Sequence, residues 1–201
     1  EAKRMKPYIL FLNIFFFTCT TPSFDIMIQN GQIADGSGGE LFKANIYIRD
    51  GKIITVGHLK KAMATETIDA TGLVIAPGFI DMHTHSERNS LQFPVVENYL
   101  QQGVTTMVGG NCGSSPLPMS TFMADTEAKG IGPNLALLVG HNTVRRKVMG
   151  TENRLATDAE LKAMQTLIQT AMDDGAFGLS TGLKYIPGAY SNTEEVVALA
   201  S

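Results

Sequence analysis

The rhythm of hydrophobic and polar positions changes near residue 77. Before it, apolar side chains alternate with polar ones in short runs, the period-two signature of half-buried strands. Phe24 to Ile28 alternates, Asn30-Gly31 reads as a hairpin turn, and Gln32 to Ala34 reads as the returning strand. Ala44 to Ile48 alternates into Asp50-Gly51, a second hairpin signal, with Lys52 to Val56 coming back. Thr67 to Gly72 and Leu73 to Ala76 add one further edge. Residues 24–76 are therefore expected to form a small β-rich part packed beside a larger domain.

After residue 77 the pattern becomes strand, loop, helix. Phe79 to Met82 is the first strand, and Pro94 to Gln102 is a short helix stopped by Gly103. Val104 to Val108 is a second strand, Asn134 to Val139 a third, and Ala176 to Thr181 a fourth. Thr157 with Glu160 forms a capping box. Behind it Leu161, Met164, Leu167, Ile168, Ala171 and Met172 make one apolar stripe, read as core. Ser191 with Glu194 is expected to start a last helix. Strands that alternate with helices and end in glycine or polar residues predict a parallel α/β architecture. A complete (β/α)8 barrel takes about 250 residues, and about half that follows residue 77, so the chain is expected to be a barrel fragment.

The first 22 residues have another character. Lys3, Arg4 and Lys6 lead into the apolar run Tyr8 to Phe17, followed by Thr18-Cys19. The run is too short for a spanning helix, which needs roughly 20 residues, and it has the layout of a secretory signal. Residues 1–22 are expected to be a signal peptide that exports the chain to the periplasm or beyond, with Cys19 a candidate lipid anchor. The 201 residues are 44% hydrophobic and 17% charged with a net charge of -3, an ordinary globular composition. No basic stripe offers a footprint for nucleic acid.

The chemistry concentrates in Pro77 to His85. His83 and His85 are two residues apart at the end of a strand, so they project to the same side, roughly 6 to 7 Å apart at Cα. Both rings can then tilt toward one divalent cation, while Thr84 faces away. A pair of histidines that binds nothing is the alternative at this point. Cys112 follows the second strand and would add a thiolate. With two cysteines in the chain, losing Cys19 with the signal leaves Cys112 without an internal partner. His141 follows the third strand and is expected to line the pocket. Asp81 is a candidate to orient a ligand from behind. Lys184 reads either as a solvated lysine, the favoured reading, or as a carbamylated ligand bridging two metals.

Several motifs together resemble those of the D-aminoacylases, or N-acyl-D-amino-acid deacylases, of the metal-dependent amidohydrolase superfamily. They are Asn30-Gly31 with Asp35-Gly36, Pro77 to His85, Gly103 to Thr106, Gly109 to Gly113, Gly140 to Asn142 with Arg145, and Gly178 to Leu183 with Tyr185 and Pro187. The resemblance spans roughly Phe24 to Leu199. It implies a (β/α)8 barrel, of which this chain holds about the first four strands, and a small β-sandwich part. It also implies one or two zinc ions held by His83, His85 and Cys112, with Tyr185 contacting a small N-acyl amino acid. Later histidines and a catalytic aspartate are expected beyond Ser201, so the chain alone is expected to be inactive. Ser86-Glu87 departs slightly from the acidic residues frequent after the histidines. Two other readings remain at this stage. One is a cyclic amidase or dipeptidase with carbamylated Lys184, the other a non-catalytic binding module.

Overall fold

The computed structural model describes residues 23–201, so the expected signal peptide and Cys19 lie outside the described residues. The chain divides after Pro77 into two compact units, and the fold is mixed α/β.

Among the described residues, the first unit holds seven strands: β1 (Ser23–Gln29), β2 (Gln32–Ile33), β3 (Phe42–Lys43), β4 (Asn45–Arg49), β5 (Lys52–Gly57), β6 (Met63–Asp69) and β7 (Val74–Ile75). They form two sheets, ordered β5-β4-β1-β6 and β3-β2-β7. Asp50-Gly51 is a true hairpin turn. Arg49 pairs with Lys52, and both turn residues take positive φ, 51° and 69°.

Asn30-Gly31 is not a hairpin, which corrects the expectation from sequence. β1 pairs antiparallel with β4 and parallel with β6, while β2 pairs with β3 and β7. The dipeptide is instead a kink where the chain passes from one sheet to the other. Asn30 takes φ 67° and its amide donates to Asp69 Oδ1 at 2.9 Å. A Cβ on Gly31 would stand 2.5 Å from the Ile75 side chain, so glycine is needed for contact between strands rather than for a turn. Ile33, Ala44 and Ile46, flanked by Ile28, Ile48 and Ile75, make this unit's core.

The second unit begins with β8 (Phe79–Asp81), then two short helices, α1 (Glu87–Ser90) and α2 (Glu97–Leu100), and β9 (Val104–Gly109). It continues with α3 (Met119–Lys129), β10 (Asn134–Leu137), β11 (Val139–Gly140), α4 (His141–Met149), α5 (Asp158–Asp173), β12 (Leu179–Ser180) and α6 (Thr193–Ala200). β8, β9 and β10 lie side by side and parallel, and β11 pairs parallel with β12. The expected third strand is thus broken at Leu138, one half pairing backward with β9 and the other forward with β12. The fourth strand shrinks to two residues.

The capping box of α5 is present, with Glu160 N donating to Thr157 Oγ1 at 3.3 Å and Thr157 N to Glu160 Oε2 at 2.9 Å. Met164, Ile168 and Ala171 of its stripe are buried, whereas Met172 is exposed. α6 starts one residue later than expected, because Asn192 rather than Ser191 caps it, accepting from Glu195 N at 3.0 Å. α3 and α4 were not anticipated; α3 buries only Met119 and Thr126, too few positions to leave a stripe in the sequence. Met119, Leu137, Val139, Val144, Met164 and Leu199 join the core of this unit. Among the described residues, no helix is long and apolar enough to cross a membrane.

Candidate metal centre

The strand β8 ends at Asp81, so His83 and His85 lie just beyond it on a bend rather than within regular strand. Hydrogen bonds to the neighbouring strand replace the missing ladder. Thr84 is buried, and both its N–H and its hydroxyl donate to Val108 O, at 2.9 and 3.1 Å. Asn111, just past β9, donates from its amide to the same carbonyl at 2.8 Å and to Thr84 O at 3.3 Å. Pinning Thr84 inward turns its two neighbours the other way. The His83 and His85 rings meet edge to face with centroids 5.6 Å apart. Asp81, expected to orient a ring, instead accepts from the His83 backbone N–H at 3.1 Å, and so shapes the bend.

Cys112 comes from the turn after β9 and takes φ 55°, a left-handed conformation that costs a non-glycine residue on the order of 1–3 kcal/mol. The surroundings over-determine it. Gly113 N donates to Ser180 Oγ at 3.0 Å, and Ser180 Oγ donates in turn to Gly110 O. A Cβ on Gly182 would stand 2.1 Å from Cys112 O, and one on Gly113 would stand 2.8 Å from Asn142 Oδ1. Two close-packed loops therefore hold the strained turn, and the thiol lies 3.4 Å from His83 Nε2. Ligand atoms of His83, His85 and Cys112 all lie within 4.8 Å of one another. Cys112 is a free thiol.

His85 and Cys112 border an open cavity of about 480 Å³ whose walls include Arg88, Asn142, Arg146 and Tyr185. Arg146 donates to Ile186 O at 2.8 Å. Asn142 donates to Gly182 O at 3.1 Å, tying α4 to the loop that carries Tyr185. A larger cavity, about 680 Å³, is lined by α5 and α6 and contains none of the three ligand candidates.

His141 departs from its expected place. It is fully buried at the start of α4, where its Nε2–H donates to Glu195 Oε1 at 2.8 Å, and it does not line the cavity. The same carboxylate accepts from Arg145, which is also fully buried. The His141 and Arg145 side chains thus fasten α4 to α6. Lys184 is exposed and stands outside both the cluster and the cavity wall. The residue that sequence reasoning missed is Glu87. It is only 3% exposed, and its Oε1 lies 3.9 Å from His85 Nδ1.

The profile of the Amidohydrolase family matches residues 66–200. The chain belongs to this family. It is 36% identical over 196 residues to an N-acyl-D-aspartate deacylase of Alcaligenes xylosoxydans xylosoxydans, covering 86% of this chain and 39% of that protein. It is likewise 36% identical over 197 residues to a D-aminoacylase of the same organism, covering 87% and 41%.

Among solved structures, the N-acyl-D-glutamate deacylase of Bordetella bronchiseptica, complexed with zinc and a phosphonate mimic of the tetrahedral intermediate, is similar with a TM-score of 0.84. It is 36% identical, with 89% of this chain and 42% of that one covered. A D-aminoacylase structure described for its binuclear metal centre also has a TM-score of 0.84, at 35% identity over 88% and 42%. These similarities agree with the D-aminoacylase resemblance of the motifs. The chain spans about two fifths of the length of the curated relatives it matches.

Proposed function

We propose that this chain is part of a metal-dependent hydrolase that cleaves the amide bond of N-acyl-D-amino acids. The observation that carries the reading is the convergence of His83, His85 and Cys112 at the ends of two adjacent parallel strands, with their ligand atoms within 4.8 Å of one another. Two imidazoles and a thiol group are a donor set that would suit zinc. Zinc held there supplies Lewis acidity, polarising the amide carbonyl and lowering the pKa of water toward ~7.

The chain's own residues do the rest. Thr84 and Asn111 hold the histidine bend, the glycine turn presents Cys112, and Tyr185 lines the cavity that receives substrate. Arg88 and Arg146 line the same cavity and suit the carboxylate of an amino acid. The names of the relatives support N-acyl-D-amino acids as the substrate class. The parallel strands β8, β9, β10 with β11, and β12 support an arc of a (β/α)8 barrel, and the two sheets of the first unit support a small β-sandwich. The leader in residues 1–22 supports export, with Cys19 as a candidate anchor.

No aspartate among the described residues joins the cluster. The resemblance of the motifs implies a general-base aspartate from beyond Ser201, and on that reading the 201-residue chain is expected to bind zinc without turning over substrate. Zinc titration of the full chain tests the first point, with H83A, H85A and C112S each expected to weaken binding. Retention of wild-type affinity in all three would sink the metal reading and favour a non-catalytic module. Hydrolysis of N-acyl-D-methionine or N-acyl-D-leucine by the chain alone would show that the base lies within it.

A further inference from the structure

Beside the His83, His85 and Cys112 cluster, two neighbouring residues each bury a polar atom without a hydrogen-bond partner. One is His85 Nδ1, and the other partner in the pair is the carboxylate of Glu87, whose Oε2 is also unsatisfied. Glu87 Oε1 lies 3.9 Å from that nitrogen. The Glu87 side chain is 2% exposed while that of His85 is 36% exposed, so the open edge of the ring belongs to its Nε2 side. A carboxylate this deeply buried is costly unless something compensates it, and among the described residues no lysine or arginine pairs with it, which leaves His85 as its neighbour.

The pocket that admits it is specific. A Cβ on Gly109, at the end of β9, would stand 2.7 Å from Glu87 Oε2, so any other residue there displaces the carboxylate. Gly109 needs no unusual backbone angle; what a Cβ there would crowd is Glu87 first and then the Leu137 side chain, at 3.0 Å.

We propose that Glu87 is the positioning residue for His85. Its carboxylate accepts the Nδ1–H of the imidazole, selects that tautomer and leaves Nε2 free to face the metal, with Gly109 providing the room. A closure of about 1 Å brings the pair to hydrogen-bond distance. The inference rests on the metal-site reading above and adds a residue outside its ligand set.

Two measurements on the full chain test it. The first is the tautomer of His85 by 15N NMR in metal-free protein, where wild type is expected to hold the proton on Nδ1 and E87Q to populate both tautomers. The second is zinc affinity by competition with a chromophoric chelator. E87Q, which keeps the shape of the side chain, is expected to weaken binding by about 10- to 100-fold. G109A, which moves the carboxylate without removing its charge, is expected to weaken binding in the same direction. A wild-type ring protonated on Nε2 overturns the proposal, as does E87Q binding zinc within twofold of wild type. Wild type that binds no zinc at all refutes the metal reading, while the tautomer still decides the role of Glu87.

Discussion

Replacing Glu195 with Gln should be among the most damaging single changes in the second unit. Its carboxylate is 3% exposed and accepts from two side chains that are fully buried, His141 and Arg145. Gln keeps the volume but removes the charge, leaving the Arg145 guanidinium in the interior without its anion. The remaining bond from Arg145 to Arg154 O, with Nε already unpartnered, cannot compensate it. Removing one member of a buried pair costs about 3–5 kcal/mol. For a chain of this size each kcal/mol moves the melting temperature by roughly 2–4 °C, so E195Q should lower it by about 6–20 °C. Urea denaturation and thermal melts followed by circular dichroism measure this directly. Glu194, its exposed neighbour, serves as the control, and E194Q should stay within about 0.5 kcal/mol of wild type. In an R145M background the E195Q cost should fall by at least about 1 kcal/mol, because the cation it strands is gone. A loss below about 1 kcal/mol for E195Q, or equal losses in both backgrounds, would refute the claim that this network fastens α4 to α6.

Three further outcomes are expected. M164A removes a fully buried side chain at the centre of the core and should cost about 2–5 kcal/mol in urea denaturation, with little change in zinc affinity at fixed temperature. G182A would drive a methyl into Cys112 O, so zinc affinity measured by chelator competition should fall by more than about tenfold; an unchanged affinity would mean that the Cys112 turn tolerates movement. Glu160 is held well below the usual carboxylate range, first by hydrogen bonds from Arg154 and then by those from Thr157. Because the folded pKa is lower than the unfolded one, its contribution is fully present above the ordinary glutamate pKa, about 4.3, and is lost as pH falls below it. E160Q should therefore flatten the decline of stability between roughly pH 5 and pH 2, and an unchanged slope would assign that decline to other groups.

The three donors that the structure brings together, His83, His85 and Cys112, stood out in the sequence because each sits where a local pattern ends: two histidines spaced by two after an apolar run, and a cysteine in a glycine-rich turn after a β-branched run. Local chemistry also announced the Asp50-Gly51 hairpin and the capping box of α5, since both depend on residues within a few positions of one another. Contacts between distant residues carried no such announcement. Asn30-Gly31 has the composition of a hairpin, yet pairing with β6 and β7 outweighs the turn preference and makes it a kink. His141 follows the third strand in the manner of a site residue, but α6, some 50 positions later, supplies the carboxylate that draws it into the core. Glu87 reads as one acidic residue in a polar stretch, and only the fold sets it behind His85 over the bare backbone of Gly109.

The sequence by itself determined the kinds of donor available, the alternation of strands and helices after residue 77, and the family to which the chain belongs. The tertiary structure alone decided which of those donors share one point in space, and which charged side chains are buried as structural fasteners. The physical reason is that strand periodicity and turn chemistry are short-range. The burial of a carboxylate or an imidazole, by contrast, depends on which remote backbone and side chains close over it.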